Sequence, residues 1–433
     1  MSIVLIAIAV LVVLLLVGVP IPFSFFASCL VLVLFGGYDY MFLVPYGYAK
    51  ASSAVLVAIP LFILAGSLME KGGIGESLVG LAEIFVGRIK GGLGVVMVVS
   101  CALFGAISGS GMATLSCIGS VLLPRMRDAG YPRGHSAALI SSASLLGLLI
   151  PPSLNMLIYA FIGGQSVLAC FLATIIPGII LVFFLSATNL WLLRKCPDIR
   201  LAAPIPKGEK VKVVTKKTVH AIPAMIAPVI ILGGIYGGIM TPTEAAAISI
   251  VYAAPVGFFI YKGLNRKTFR ESLIYSGTTA GVIMIMLFSV MMLSRLYVME
   301  NVPQMILDAM TAVTDNPIIL VMFINLFLII IGMIMDDTSA ILLTTPIILP
   351  VAIALGIDPV HYAAIMGVNL GLGCVTPPCA PFLYLGSRVG NAPIGEMLKP
   401  TMWLIAFAWI PTLLITTYIP ELSLFLPRFF GFL

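Results

Sequence analysis

Two short clusters carry most of the polar chemistry in an otherwise apolar chain: Ser108-Gly109-Ser110-Gly111 and Asp336-Asp337-Thr338. Each interrupts a hydrophobic run. Further on, Pro151-Pro152 and Pro377-Pro378 interrupt a second run in the same way. Hydroxyls, carboxylates and unwound backbone carbonyls grouped inside a membrane form oxygen clusters suited to a small cation, and half-helix N-termini beside them attract carboxylates.

The positions correspond. The offset that carries Pro151 onto Pro377 also carries Pro124 onto Pro350, Gly130 onto Gly356, His135 onto His361 and Gly147 onto Gly373. Broken hydrophobic segments at matching places in two halves are the best sequence pointer to a transporter's binding site. The elements that must position the clusters follow from the same runs. The chain is apolar from Gly92 to Ala106 and again from Met112 to Leu123. That returning limb, roughly 20 Å of helix, falls short of a ~30 Å bilayer core. It predicts a re-entrant hairpin, and 317–355 predicts a second. A half helix over 135–150 breaks at Pro151 to Asn155 and then continues, with its repeat at 360–388.

Composition fits this plan. The chain has 433 residues, 61% hydrophobic and 9% charged, with a mean hydropathy of +1.17. A soluble domain averages about 25% charged residues, so the fold class is an all-α polytopic membrane protein. The apolar runs are too long for an outer-membrane barrel. Seven scattered cysteines show neither a disulfide framework nor a zinc spacing. The net charge of +6 sits in short loops between apolar runs, which reads as membrane orientation rather than nucleic-acid binding. The first run lacks a basic start and a cleavage site, so it is read as a retained span.

Spans are expected at 2–19, 22–36, about 51–69, 168–193, 221–239, 244–261, 272–293 and 393–419, with interfacial arms at 74–90 and 297–313. These segments divide the chain into first-half scaffold spans and arm (1–91), a first transport unit (92–165), a scaffold span with a basic linker (166–220), second-half scaffold spans and arm (221–316), a second transport unit (317–390) and a C-terminal span (391–433). If the basic linker 194–220 is cytoplasmic, both termini lie outside, and every Lys and Arg except Lys50, Arg295 and Arg428 falls inside. The two halves are then inverted with respect to each other. Thr241-Pro242-Thr243-Glu244 reads as a capping box with Pro at the first helical position, so Glu244 is assigned to the helix end rather than to a ligand.

Ser108-Gly-Ser-Gly, Pro151-Pro-Ser, Gly238 to Ala246 (Gly-Ile-Met-Thr-Pro-Thr-Glu-Ala-Ala), Gly332-Met-Ile-Met-Asp336 and Thr376-Pro-Pro resemble, in order and spacing, the large membrane subunit of the tripartite ATP-independent periplasmic (TRAP) transporters. The resemblance covers essentially the whole chain. It implies an inverted-repeat elevator transporter with two re-entrant hairpins and two broken helices, driving Na⁺-coupled import of an organic acid such as a C4-dicarboxylate or sialic acid across the bacterial inner membrane. It further implies a separate small four-helix membrane subunit and a periplasmic substrate-binding protein, with no cofactor beyond Na⁺. The family's first tip often reads Ser-Gly-Ser-Ser, and Gly111 departs from that pattern.

With that resemblance in hand, one Na⁺ is placed among Gly105, Ser108, Gly109, Pro151 and Pro152, and a second among Gly332, Asp336, Thr338, Gly373 and Thr376. The alternative is that these small residues serve only close helix packing. The substrate is placed between the tips, against Ser108, Ser110, Ser153, Asn155, Asp336 and Asp337. Asp336 is assigned to the coupled site, whereas Asp337 is equally an N-cap of the returning limb. Arg295 is read as snorkelling to the outer interface. His135 and His361 are read as solvated or capping groups near the surface rather than a proton relay. Two rival classes remain: a self-sufficient Na⁺- or H⁺-coupled anion transporter, and an intramembrane hydrolase pairing Ser108 or Ser110 with His135, which would not require an inverted second copy.

Overall fold

The computed structural model describes residues 2–86, 89–194, 196–197, 199 and 210–433. Among them every regular element is helical. The first half comprises α1 (Ser2–Val17), α2 (Ile21–Gly36), α3 (Leu43–Ala51), α4 (Ala58–Lys71), α5 (Ile74–Val86), the hairpin α6 (Gly92–Ser108) and α7 (Gly111–Asp128), α8 (Arg133–Ser144), α9 (Leu146–Leu149), α10 (Leu154–Gly163) and α11 (Val167–Leu193). The second half comprises α12 (Lys210–Tyr236), α13 (Pro242–Pro255), α14 (Arg266–Met299), α15 (Val302–Thr311), the hairpin α16 (Pro317–Ile334) and α17 (Asp337–Ala354), α18 (Pro359–Val375), α19 (Pro381–Gly390), α20 (Ile394–Leu404), α21 (Ile410–Tyr418) and α22 (Pro420–Phe429). Eight described helices are long and apolar enough to cross a membrane, or nine if the pair bent by 45° at Pro151-Pro152 counts as one span. The repeat holds element by element: α7 and α17 have 18 residues each, and their first residues, Gly111 and Asp337, are equivalent positions.

Several boundaries differ from the sequence expectation. The returning limb α7 runs on to Asp128, about 27 Å of helix, rather than stopping at Leu123. Pro124 is carried inside it, and its polar last turn is held by Arg125, which reaches Glu83 at 3.1 Å and Glu76 at 3.3 Å on α5. Limb length therefore does not establish re-entrance, and the meeting of the tips carries that argument instead. The linker expected over 194–220 is helical from Lys210, continuous with α12, and Lys217 pairs with Glu83 at 2.9 Å. The basic residues Arg88, Lys195, Arg200 and Lys207 lie outside the described residues. The span expected at 272–293 is a 34-residue helix, because nothing stops it before Asn301 turns left-handed at φ 54°. The last span carries a π-helical turn at Ile405–Trp409. The Thr241–Glu244 capping box is present, with the Glu244 carboxylate accepting from the Thr241 amide at 2.8 Å.

Charge marks two ends of the bundle. Arg125, Glu76, Glu83 and Lys217 gather at one end, as do Lys71 and Glu271, 3.5 Å apart. These half-exposed pairs add little stability, but they locate an end. α14 carries Glu271 at that end and Arg295 about 36 Å further along. There Arg295 and Lys50 each lie 5.8 Å from the Tyr46 ring, and Tyr38 donates to Glu300 at 2.8 Å. Introducing single cysteines at Glu271 and Arg295 in a Cys379→Ser background tests this arrangement. A membrane-impermeant maleimide added to intact cells is expected to label only one of the two, and labelling of both from the same side contradicts the transverse orientation of α14.

Candidate functional site

The site begins with four missing donors. Pro151 and Pro152 have no N–H, so the carbonyls of Gly147 and Leu148 lose their helical partners, and Pro377 and Pro378 do the same to Gly373 and Cys374. The first helix accordingly stops at Leu149, Ile150 turns extended (φ −92°, ψ 119°), and the Pro151–Pro152 peptide is cis, as is Pro377–Pro378. Ser153 restarts the chain as the N-cap of α10, its hydroxyl accepting from Met156 N at 3.4 Å.

The first tip packs directly against this break. A β-carbon at Gly105 would come 2.7 Å from the Gly147 Cα, and one at Gly109 would come 2.6 Å from the Pro152 carbonyl. Gly109 is left-handed (φ 62°), a conformation that favours glycine. Its carbonyl accepts from Leu154 N at 3.2 Å. Ser108 Oγ lies 3.2 Å from Thr114 Oγ1, and Ser110 caps α7 by accepting from Ala113 N at 3.4 Å. Tip and break thus bring Gly105, Ser108, Gly109, Pro151 and Pro152 into one neighbourhood, joined by Gly147, the repeat equivalent of Gly373.

The second tip repeats the layout with charge added. Gly332 packs on Gly373, where a β-carbon would meet the Gly332 Cα at 2.7 Å, and the Gly373 carbonyl accepts from Thr376 N at 2.9 Å. Asp336, equivalent to Ser110, takes the N-cap of α17: it is extended (φ −69°, ψ 159°) and accepts from Ser339 N at 3.1 Å and from the Ser339 hydroxyl. The cap considered for Asp337 therefore falls on Asp336. Asp337 is already inside the helix and buried, and it accepts from Asn155 Nδ2 at 2.8 Å. Thr338 Oγ1 donates to Asn155 Oδ1 at 3.2 Å. One amide from the first half thus holds the second tip, and Thr338 faces that amide rather than the break at Pro377.

A cavity of about 330 Å³ lies between the two tips and the helices α4 and α14. Ser108, Gly109, Ser110, Asn155 and Asp336 to Thr338 line it. So do Gly66, Glu70, Tyr275 and Thr279 of the scaffold, which sequence reasoning missed because nothing local distinguishes a cavity-facing scaffold residue from a lipid-facing one. Ser153 is buried as a cap and does not line the cavity, and neither do Gly332, Gly373 and Thr376. Arg295 is exposed, away from the cavity. The histidines correct the surface expectation, for both are buried. His135 Nε2 lies 3.0 Å from Asn189 Oδ1 on α11, and His361 Nε2 lies 2.7 Å from the Thr416 carbonyl on α21. Each ties the start of a broken helix to the closing span of its own half. Because the His135 ring is held by α11, it sets no base beside Ser108 or Ser110. Asn155→Ala unpairs a buried carboxylate, and the expected cost is about 1–3 kcal/mol, read as a lowered thermal midpoint in detergent. Ser153→Ala is expected to cost about 1 kcal/mol, as a lost N-cap.

Comparison with known proteins places this geometry. The family model described as the tripartite ATP-independent periplasmic transporter, DctM component, matches residues 8–422. The C4-dicarboxylate TRAP transporter large permease protein DctM of Pseudomonas aeruginosa is 34% identical over 406 residues, 94% of this chain and 93% of that one. The sialic acid TRAP transporter large permease protein SiaM of Vibrio cholerae is 35% identical over 375 residues, 87% of this chain and 86% of that one. The isethionate TRAP transporter permease protein DctMQ of Oleidesulfovibrio alaskensis is 36% identical over 403 residues, and the chain spans 92% of its own length but only 62% of that relative's. Among solved structures, the Alcanivorax borkumensis YdaH transporter superposes with a TM-score of 0.62 over 88% of each chain at 14% identity, a likeness of fold. The two repeated hairpins, the paired proline breaks and a family match across nearly the full length lead to one assignment: this chain belongs to the DctM family, the large permease component of the TRAP transporters.

Proposed function

We propose that the chain imports an organic acid across the bacterial inner membrane, coupled to Na⁺, as the large permease of a three-component system. A small four-helix membrane subunit and a periplasmic substrate-binding protein complete that system, the latter delivering the solute. The single observation that carries the reading is the convergence of both hairpin tips and the first break on one cavity. The names of the relatives point to carboxylate- or sulfonate-bearing solutes. The end marked by Arg125, Lys217 and Lys71 is read as cytoplasmic by its positive charge, which puts both termini in the periplasm. The cavity lining reaches Glu70 and the Pro20–Pro22 turn at that end, so this conformation faces the cytoplasm.

Two Na⁺ sites serve the coupling. The first uses backbone and hydroxyl oxygens around Gly105, Ser108, Gly109 and the Pro151-Pro152 break. The second uses the Gly332–Gly373 contact, Thr376 and the Asp336 carboxylate, with Thr338 beside it. Carbonyls released from the regular helical pattern at the breaks suit this role, and the second site carries the formal charge the first lacks. Solute sits between Ser108, Ser110 and the second tip, near the N-termini of α7 and α17, whose dipoles favour a carboxylate. Transport proceeds by sliding the hairpins and broken helices as one body past α4 and α14, an elevator motion for which the cavity's place between tips and scaffold is the support.

Reconstitution with the partner proteins tests the proposal. Uptake is expected to require an inward Na⁺ gradient, and Ser108→Ala and Asp336→Ala are each expected to reduce it by about tenfold or more, the equivalent of one charge-assisted contact. Accumulation that persists after the Na⁺ gradient is collapsed contradicts the coupling. Uptake that needs no binding protein contradicts the three-component assignment.

A further inference from the structure

The charge of the cavity is one-sided. Three carboxylates face it, Asp336, Asp337 and Glu70, and among the described residues no Lys, Arg or His lines it. Asp336 and Asp337 have protein donors, Ser339 and Asn155. Glu70 is placed differently. It lies on α4 one helical turn beyond Gly66, where a β-carbon would come 2.9 Å from the Ser108 carbonyl. Residues i and i+4 share a helix face, so the face of α4 that touches the first tip carries Glu70 about 6 Å further along. The adjacent Lys71 reaches away to Glu271 at 3.5 Å, and among the described residues Glu70 makes no ion pair of its own. The rest of that wall mixes apolar Phe62, Val282 and Met286 with the neutral polar side chains of Ser67, Tyr275 and Thr279, none of which bonds Glu70.

The two ends of the cavity therefore differ in chemistry. The tip end offers hydroxyls and two helix N-termini, which favour an anionic group, while its own carboxylates are held by Ser339 and Asn155, with Asp336 also facing the second proposed Na⁺. The α4 end offers the Glu70 carboxylate, which has no protein donor among the described residues. We infer that the cavity takes an organic acid that also carries a hydrogen-bond donor, ammonium or hydroxyl, with its carboxylate at the tips and the donor received by Glu70. This rests on the reading of the cavity as the solute site. A second carboxylate at the far end would lie a few ångströms from Glu70. At an effective dielectric of about 20, repulsion between an ionised Glu70 and a second carboxylate about 5 Å away lowers affinity by well over tenfold, so simple dicarboxylates are disfavoured wherever Glu70 carries its charge.

Matched acids of similar length test the inference on the full chain, purified in detergent with saturating NaCl: 4-aminobutyrate, 4-hydroxybutyrate, butyrate and succinate, followed by titration calorimetry. In the wild type, 4-aminobutyrate and 4-hydroxybutyrate are expected to bind about tenfold or more tighter than succinate and butyrate. Glu70→Gln is expected to abolish the advantage of 4-aminobutyrate over succinate, and Glu70→Lys to reverse it in favour of succinate. Succinate binding as tightly as 4-aminobutyrate in the wild type, with an unchanged order in both variants, overturns the role of Glu70 and leaves the cavity assignment standing. Binding of none of the acids in Na⁺ overturns the cavity assignment and this inference with it.

Discussion

The rest of the structure depends on the absence of four N–H groups. Within an apolar bundle the backbone must satisfy itself, and the helix normally does so residue by residue. Pro151, Pro152, Pro377 and Pro378 prevent this at two equivalent places, freeing the carbonyls of Gly147, Leu148, Gly373 and Cys374 from the helical pattern. Such backbone is tolerated only where other protein groups or a cavity receive it. The hairpin tips pack against these breaks, and the glycines follow from that contact. A β-carbon on Gly105 would come 2.7 Å from the Gly147 Cα, and one on Gly373 would come 2.7 Å from the Gly332 Cα. Small residues here are a consequence of how closely a tip must approach a break.

On that symmetric base the protein builds an asymmetric site. Ser110 and Asp336 do the same structural work, capping α7 and α17, but one is neutral and the other charged. Asn155 extends the difference. It bonds both Asp337 and Thr338, while its repeat equivalent is Pro381, which has no side-chain amide to return the favour. The first half thus holds the second tip without reciprocation, and both tips reach one cavity instead of two.

The histidines show how far repeat logic extends. His135 and His361 occupy equivalent positions, and each fastens a broken helix to the closing span of its half. Equivalence correctly signalled a shared role, but the role is internal attachment rather than surface solvation. Exposure could not be read from type, because both residues begin a helix in sequences that look like loop ends.

Much of the architecture was legible from local chemistry. Prolines remove donors wherever they stand and hydrophobic runs of fixed length make helices, so the breaks and the paired hairpins were readable from residue order. The Thr241–Glu244 cap was readable for the same reason, since its partners are three residues apart. Other features were not. α7 continues past Leu123 to Asp128, where Arg125 meets Glu76 and Glu83 on another helix, partners far away in sequence. The cap falls on Asp336 and not Asp337 because the turn, rather than the residue type, fixes which one lies outside the helix. Ser153 is a buried cap and Glu70 a cavity wall for reasons that lie in packing between segments distant in the chain. Sequence determined whatever depends on covalent bonding and neighbours within a few residues. Tertiary structure decided which side chains face one another across the bundle, because a side chain's partner there is set by how whole helices pack and not by its own identity.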